Sequence, residues 1–210
     1  EEIDGARHYA LDNEKLPSVT TILDATDSDE KRESLAKWRQ RVGENKAQEI
    51  VSNSAKRGTA VHKYLEHHVK GGKILDLTDL GTEARHMAET IIAKGFTDLS
   101  EIWGSEAVLF YPGLYAGQTD LCGIYQGRES IIDFKQSNKP KREEWIDNYY
   151  HQGAAYAMAH NYMHGTSIEQ IVILMCTPDN FFQRFILNGS RFREYMWKWL
   201  KRVDNYYHSQ

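Results

Sequence analysis

Between Ser105 and Ser137 the chain carries three runs of apolar, β-branched and aromatic residues bounded by turn residues, which is the signature of β-strands. The pattern predicts strands over 105–111, 114–125 and 130–137, with turns at Pro112-Gly113 and Gln126-Gly127-Arg128-Glu129. Turns this short join antiparallel neighbours, so the three strands read as a meander. Helical patterning surrounds them. Residues 28–46 read as a charged amphipathic helix, 54–69 as a second that ends at Gly71-Gly72, and 81–96 as a third. After the meander, 143–162 reads as a helix whose Ala154, Ala155, Ala157 and Ala159 suit close packing on a sheet. Strands follow over 168–176 and 181–187 around Thr177-Pro178-Asp179-Asn180, then a last helix over 190–207 carrying Trp197 and Trp199. The expected fold class is α/β: a mixed central β-sheet flanked by helices, in one domain over 1–210. Residues 1–100 would be a mainly helical N-terminal portion that covers or threads a ligand, and 101–210 the sheet with its flanking helices.

Composition narrows the classes. A chain of 210 residues can bury a substantial single core. No apolar run approaches the roughly 20 residues of a membrane helix, so no membrane partner is expected. The start, Glu1-Glu2-Ile3-Asp4, has no targeting pattern, although a leader removed earlier would leave no trace. A formal charge of −4 argues against a protein that coats nucleic acid indiscriminately, but it allows a local basic groove. Arg57 and Lys139 are candidate groove residues, each also readable as an ordinary solvated charge. Cys122 and Cys176 are the only cysteines; both sit in apolar segments and read as buried thiols. Two thiols cannot complete a four-thiolate cluster, so no iron–sulfur cluster is expected. His67-His68 reads as a solvated helix face.

The chemistry centres on Ile131-Ile132-Asp133-Phe134-Lys135-Gln136-Ser137. Side chains alternate along a strand, so Ile131, Asp133 and Lys135 share one face while Ile132 and Phe134 take the other. An Asp-x-Lys triplet alone says little, since about one is expected by chance in such a chain. A second one, Asp29-Glu30-Lys31, lies in a solvated charged stretch. The Asp133 triplet differs in its setting, because flanking apolar residues bury it, and a buried charge needs a partner or a metal. Asp120, in Gly117-Gln118-Thr119-Asp120, falls on the neighbouring strand. Two acids and a lysine so placed can hold a divalent cation with an ammonium beside it, the working part of a metal-dependent phosphodiesterase. Glu106 on the first strand is a possible additional acid. His62 and Glu66 share a helix face, as do Gln152 and Tyr156, through their four-residue spacing. Ser18 and Thr20 precede an apolar stretch, where their hydroxyls either cap a helix or help to hold a phosphate.

Gly58-Thr59-x-x-His62, Gly117-x-x-Asp120, Asp133-x-Lys135 and Gln152-x-x-x-Tyr156, in that order, resemble the PD-(D/E)xK nucleases of the RecB-like branch. Leu16-Pro17-Ser18-Val19-Thr20-Thr21-Ile22-Leu23, Leu35-Ala36-Lys37-Trp38-Arg39-Gln40-Arg41 and Trp197-Lys198-Trp199-Leu200 make the chain more similar still to the group of mitochondrial genome maintenance exonucleases and their phage and bacterial relatives. The resemblance runs from about Leu16 to the C-terminus. One departure is Gln136, where relatives usually have threonine. What the resemblance implies is a restriction-endonuclease-like core and a DNA exonuclease that uses Mg²⁺ or Mn²⁺. Its ligands would be His62, Asp120, Asp133 and the Phe134 carbonyl. Lys135 would serve as base or as electrostatic stabiliser, while Gln152 and Tyr156 would shape the site and contact DNA. Single-stranded DNA with a free end is the expected partner; protein partners are not indicated. The implied location is intracellular: a bacterial or phage-infected cytoplasm, or the mitochondrial matrix if a leader was removed. The alternatives are a duplex-resecting recombination exonuclease, a structure-dependent endonuclease, or an inactive nuclease-fold DNA-binding module.

Overall fold

The computed structural model describes residues 2–3, 6–11 and 14–209; Glu1 and Asp4 of the acidic start lie outside the described residues. Its centre is a five-stranded sheet of β4 (Leu99–Tyr111), β5 (Tyr115–Tyr125), β6 (Arg128–Gln136), β7 (Gln170–Cys176) and β8 (Phe182–Asn188), hydrogen-bonded in that order. The strands β4–β5–β6 form the antiparallel meander. The β5–β6 connection is a two-residue turn, Gln126 and Gly127, both at positive φ (49° and 72°), with Tyr125 paired to Arg128. Two left-handed residues are what a tight hairpin of this kind requires. Strand β7 runs parallel to β6 and antiparallel to β8, so the sheet is mixed as expected. A parallel pair needs a crossover, supplied by α5 (Asp147–His164). All seven residues of β7 are buried, which accounts for its nearly unbroken apolar sequence.

Helices cover both faces. One face carries Ile131, Ile171 and Ile173 beneath α5 and α6 (Gly189–His208), with Ala154, Ala155, Ala157 and Ala159 all buried there. The approach is close: a Cβ on Gly153 would lie 2.5 Å from Ile171 Cγ2. The other face carries Ile132, Phe134, Val172 and Leu174 beneath α3 (Glu44–Val69) and α4 (Asp79–Gly95). Residues 131–135 therefore alternate between two cores, as a period of two demands. Trp199 lies at the centre of the first core, while Trp197 is 71% exposed. Among the described residues no helix is long and apolar enough to cross a membrane.

Three features depart from the expected pattern. The helical stretch of the N-terminal portion is preceded by a three-stranded antiparallel sheet of β1 (Glu2–Ile3), β2 (Ala6–Leu11) and β3 (Glu14–Pro17). It docks on the main sheet through a bridge between Ser18 and Ala116. The expected helix over 28–46 is two: α2 (Asp29–Val42) ends at Gly43, whose φ of 90° lies outside helical space, and α3 begins at once. Strand β4 starts six residues earlier than the expected 105, because register shifts near Ser100 and Trp103 let Leu99–Gly104 pair with β5.

The junction of α1 (Val19–Ala25) with α2 is pinned by Arg202 of α6. Its guanidinium donates to the Leu23 carbonyl (2.7 Å) and Thr26 Oγ1 (2.5 Å), and lies 3.4 Å from Asp27. Hydrogen bonds to a charged group contribute about 1.5–3 kcal/mol. Arg202→Met is expected to lower unfolding free energy by about that much in urea titration; a loss below about 0.5 kcal/mol would show the junction does not depend on it.

Candidate active site

The site opens where β5 and β6 part. Their ladder stops at Leu121 and Ile132, and beyond it the Phe134 N–H donates to Asp120 Oδ2 (2.7 Å) in place of a backbone carbonyl. Asp120 on β5 and the buried Asp133 with Lys135 on β6 stand where the strands part. His62, reaching in from α3, places Nδ1 3.1 Å from Asp120 Oδ1. Asp133 is 3% exposed, and its Oδ2 lies 2.6 Å from Lys135 Nζ. That contact is a close, buried ion pair. Lys135 Nζ also donates to Gln152 Oε1 (3.0 Å) and lies 5.0 Å from the Tyr149 ring centre. Gln152 passes the chain on, its Nε2 donating to Tyr156 Oη (3.0 Å). The two four-residue helical pairs thus do different work: Gln152 and Tyr156 act together, whereas Glu66 turns to Lys70 and leaves His62 to face Asp120.

Electrostatics follow from burial and pairing. Burial pushes the Asp133 carboxyl up to about 6 and outweighs the lowering by Lys135. Asp120 suffers the same burial, but the His62 charge and hydrogen bond, Lys135 and the Phe134 N–H bring it below the ordinary value. Burial alone would lower His62; Asp120's charge and hydrogen bond, with Asp133, raise it instead. For Lys135, burial is outweighed by Asp133 and Asp120, so the ammonium is held charged. A raised carboxyl binds a proton more tightly in the folded than in the unfolded state. Its contribution therefore lowers stability as pH rises from about 4 to about 6 in metal-free protein. The same proton competes with a bound cation, so Mn²⁺ affinity is expected to rise across that window. Calorimetric titration at several pH values checks this, and the pH slope should flatten in Asp133→Asn.

Which residues suit a metal is answered by the donor set. Ligand atoms of His62, Glu106 and Asp120 all lie within 4.8 Å of one another. With the buried Asp133 carboxylate nearby, this donor set of carboxylate oxygens and one imidazole fits a hard divalent cation that tolerates nitrogen. Glu106, expected as a possible additional acid, falls in one compact group with His62 and Asp120, while Asp133 pairs with Lys135. Glu106 lies between the pairs Ser105–Leu121 and Ala107–Thr119, directly across from Asp120. It adopts φ of 52°, left-handed for a non-glycine residue, and its Oε2 accepts from Gln118 Nε2 (2.8 Å). Burial first, then Asp120, raises its pKa.

The remaining expected residues divide. Ser18 is 2% exposed and caps α1 by accepting from the Thr21 N–H (3.0 Å), while Thr20 is exposed beside it. Arg57 is occupied away from the carboxylates. It donates to Gln136 Oε1 (2.9 Å) and to Asn138, and lies 3.6 Å from Glu83, which makes it a brace between α3, α4 and the end of β6 rather than a free groove cation. Gln136, at the departure from the usual threonine, completes that brace by donating to the Ser54 carbonyl (3.0 Å). Lys139 is exposed in the loop between β6 and α5. Both cysteines are buried, and burial raises both thiols. His67 is half-buried and His68 exposed, edge-on to Phe96.

Two determinants were not foreseen. Gly117 is where the Tyr156 ring lies: a Cβ there would sit 2.5 Å from Tyr156 Cε1. The glycine of Gly117-x-x-Asp120 therefore admits the tyrosine of Gln152-x-x-x-Tyr156, and the two motifs are one packing unit. Gly117→Val is expected to cost about 1–3 kcal/mol through overpacking and to displace the Gln152–Lys135 chain. Unchanged melting and unchanged Lys135 titration would contradict this. The second is Arg7 of β2, which lines the clefts on both sides of Glu106. Charge pattern gave no signal for it, because β2 itself was not expected.

Comparison with known proteins follows this geometry. No family profile matches the chain. It is 28% identical to human mitochondrial genome maintenance exonuclease 1 over 208 residues, 93% of this chain and 59% of that protein. It is 27% identical to the mouse protein of the same name over 211 residues, 95% of this chain and 61% of that one. The chain thus spans about three-fifths of these relatives' length. Among solved structures, a candidate exonuclease from Eubacterium rectale superposes with a TM-score of 0.51 at 14% identity, covering 71% of this chain and 64% of that one. The resemblance to the mitochondrial exonuclease group holds at the level of sequence, and the α/β nuclease-type architecture at the level of fold.

Proposed function

We propose that this chain is a divalent-metal-dependent DNA exonuclease that hydrolyses phosphodiester bonds of single strands with free ends. The observation that carries the reading is the buried Asp133–Lys135 ion pair beside the compact His62–Glu106–Asp120 group. The names of the relatives point the same way. His62, Asp120 and Asp133 are the proposed protein ligands, with Glu106 as a further acid. An extended residue directs its N–H and C=O to the same flank of the strand. The Phe134 carbonyl, whose N–H bonds Asp120, is therefore the proposed backbone ligand. When bound, a divalent cation polarises a phosphate and lowers the pKa of its water.

The chain's own residues do the rest. Lys135, held charged by the two acids, is proposed to stabilise negative charge on the phosphate rather than to act as base. Gln152 fixes the direction of that ammonium, and Tyr156 fixes Gln152. Helix α2 buries none of its side chains, and Trp38 and Leu35 line open grooves beside it, as an element that guides a strand would. If a free end must thread past it, linear single strands are degraded stepwise while circular single strands of the same sequence persist. Rapid cutting of the circle would exclude obligatory threading and favour a structure-dependent endonuclease.

A further inference from the structure

Two clefts meet at Glu106, which lines both, while Asp120 lines the smaller. The larger, about 760 Å³, holds His62 and Lys135; the smaller, about 180 Å³, runs behind the acids between Ser18, Thr20, Gln152 and Tyr156. No phosphate-recognising cation from the sheet or from α5 lines the small cleft. Its cation comes from Arg7, on the N-terminal sheet, which lines both clefts.

Arg7 is held in place at three points. Its carbonyl accepts from the Ser18 N–H (2.9 Å) and from Thr21 Oγ1 (2.9 Å), which ties β2 to the start of α1. Its guanidinium lies 5.1 Å from the centre of the Tyr9 ring. Among the described residues neither Glu106 nor Asp120 is within ion-pair distance of that guanidinium, although both line the same cleft. The residue is exposed. A planar fork of donors held beside Tyr9, next to the Ser18 and Thr20 hydroxyls and a space of about 180 Å³, suits a pair of phosphate oxygens.

We propose that the small cleft is a phosphate subsite, with Arg7 as its cation and the Thr20 hydroxyl and Gln152 amide on its walls, taking a backbone phosphate of the strand being cut. The proposal rests on the nuclease reading for the identity of the strand. It also gives the N-terminal sheet a task, since without β2 the site lacks this charge. The phosphate is either an internal diester or a terminal monophosphate; both present a pair of non-bridging oxygens.

The test uses the full chain with Arg7→Ala and Arg7→Lys, and single strands carrying either a 5′-phosphate or a 5′-hydroxyl. Binding is measured in EDTA over a range of salt concentrations. Each phosphate neutralised on a single strand contributes about 0.7 to the slope of log affinity against log salt, so Arg7→Ala should flatten the slope by about that amount. With Mg²⁺, kcat/KM should fall about a hundredfold, as for loss of one charge-stabilising donor. Arg7→Lys should keep the slope but recover only part of the rate, and added guanidinium should rescue Arg7→Ala in part. A larger penalty on 5′-phosphorylated strands assigns the terminal phosphate, and an equal penalty an internal one. A flattened slope in Arg7→Ala, with a wild-type protein that cuts nothing, would leave the phosphate site standing without the nuclease reading. An unchanged slope and rate, or a loss of thermal stability with the slope intact, would overturn the proposal.

Discussion

Asp133→Asn and Asp120→Asn are each expected to reduce DNA cleavage by about a thousandfold or more while the protein stays folded. A cation polarising a phosphate stabilises the transition state by several kcal/mol, and each 1.36 kcal/mol lost is tenfold in rate. The two variants should differ in the metal-free protein. Asp133 is the acid whose pKa burial raises, so its amide isostere, which has no charge to desolvate, should leave stability unchanged or slightly raised. Asp120 accepts from the Phe134 N–H and pairs with His62, so Asp120→Asn should destabilise by about 1–3 kcal/mol. Single-turnover cleavage and urea melts check both. Wild-type rates in either variant would remove that residue from the site.

Lys135→Ala is expected to be nearly as damaging to rate, but through a different quantity. Removing the ammonium takes away charge stabilisation and leaves Asp133 without its ion-pair partner, so the acid should bind a cation at least as tightly as before. Calorimetry with Mn²⁺ should therefore show affinity retained while kcat falls about a hundredfold to a thousandfold. Lys135→Arg should not restore the rate, because a guanidinium cannot occupy the position between Asp133 Oδ2 and Gln152 Oε1 without moving one of them. Loss of metal affinity in Lys135→Ala would mean that the lysine organises the ligands instead.

How much of this was legible depends on how local each signal is. The faces of Asp133, Phe134 and Lys135 follow from strand periodicity and are as expected, as are the buried alanines of α5 and the mixed sheet. Asp120 could be placed beside Asp133 because the meander has short turns. Glu106 could be named but not located, since only the register of β4 on β5 puts it opposite Asp120. The N-terminal sheet escaped notice because Ala6–Leu11 and Glu14–Pro17 are short and gain stability from each other and from docking at Ala116. Gly43 reads as a tolerable helix residue until its φ of 90° is seen. Arg57 is likewise held by three partners from distant segments, which its charge alone does not reveal. Non-local pairing decides each of these cases.

The most direct measurement is a time course of wild-type protein on an end-labelled linear single-stranded oligonucleotide, run in parallel with Mg²⁺, with Mn²⁺ and with EDTA. The account predicts progressive shortening from a free end with either cation and an intact strand in EDTA. Equal cutting in EDTA, or an intact strand under all three conditions, would contradict it.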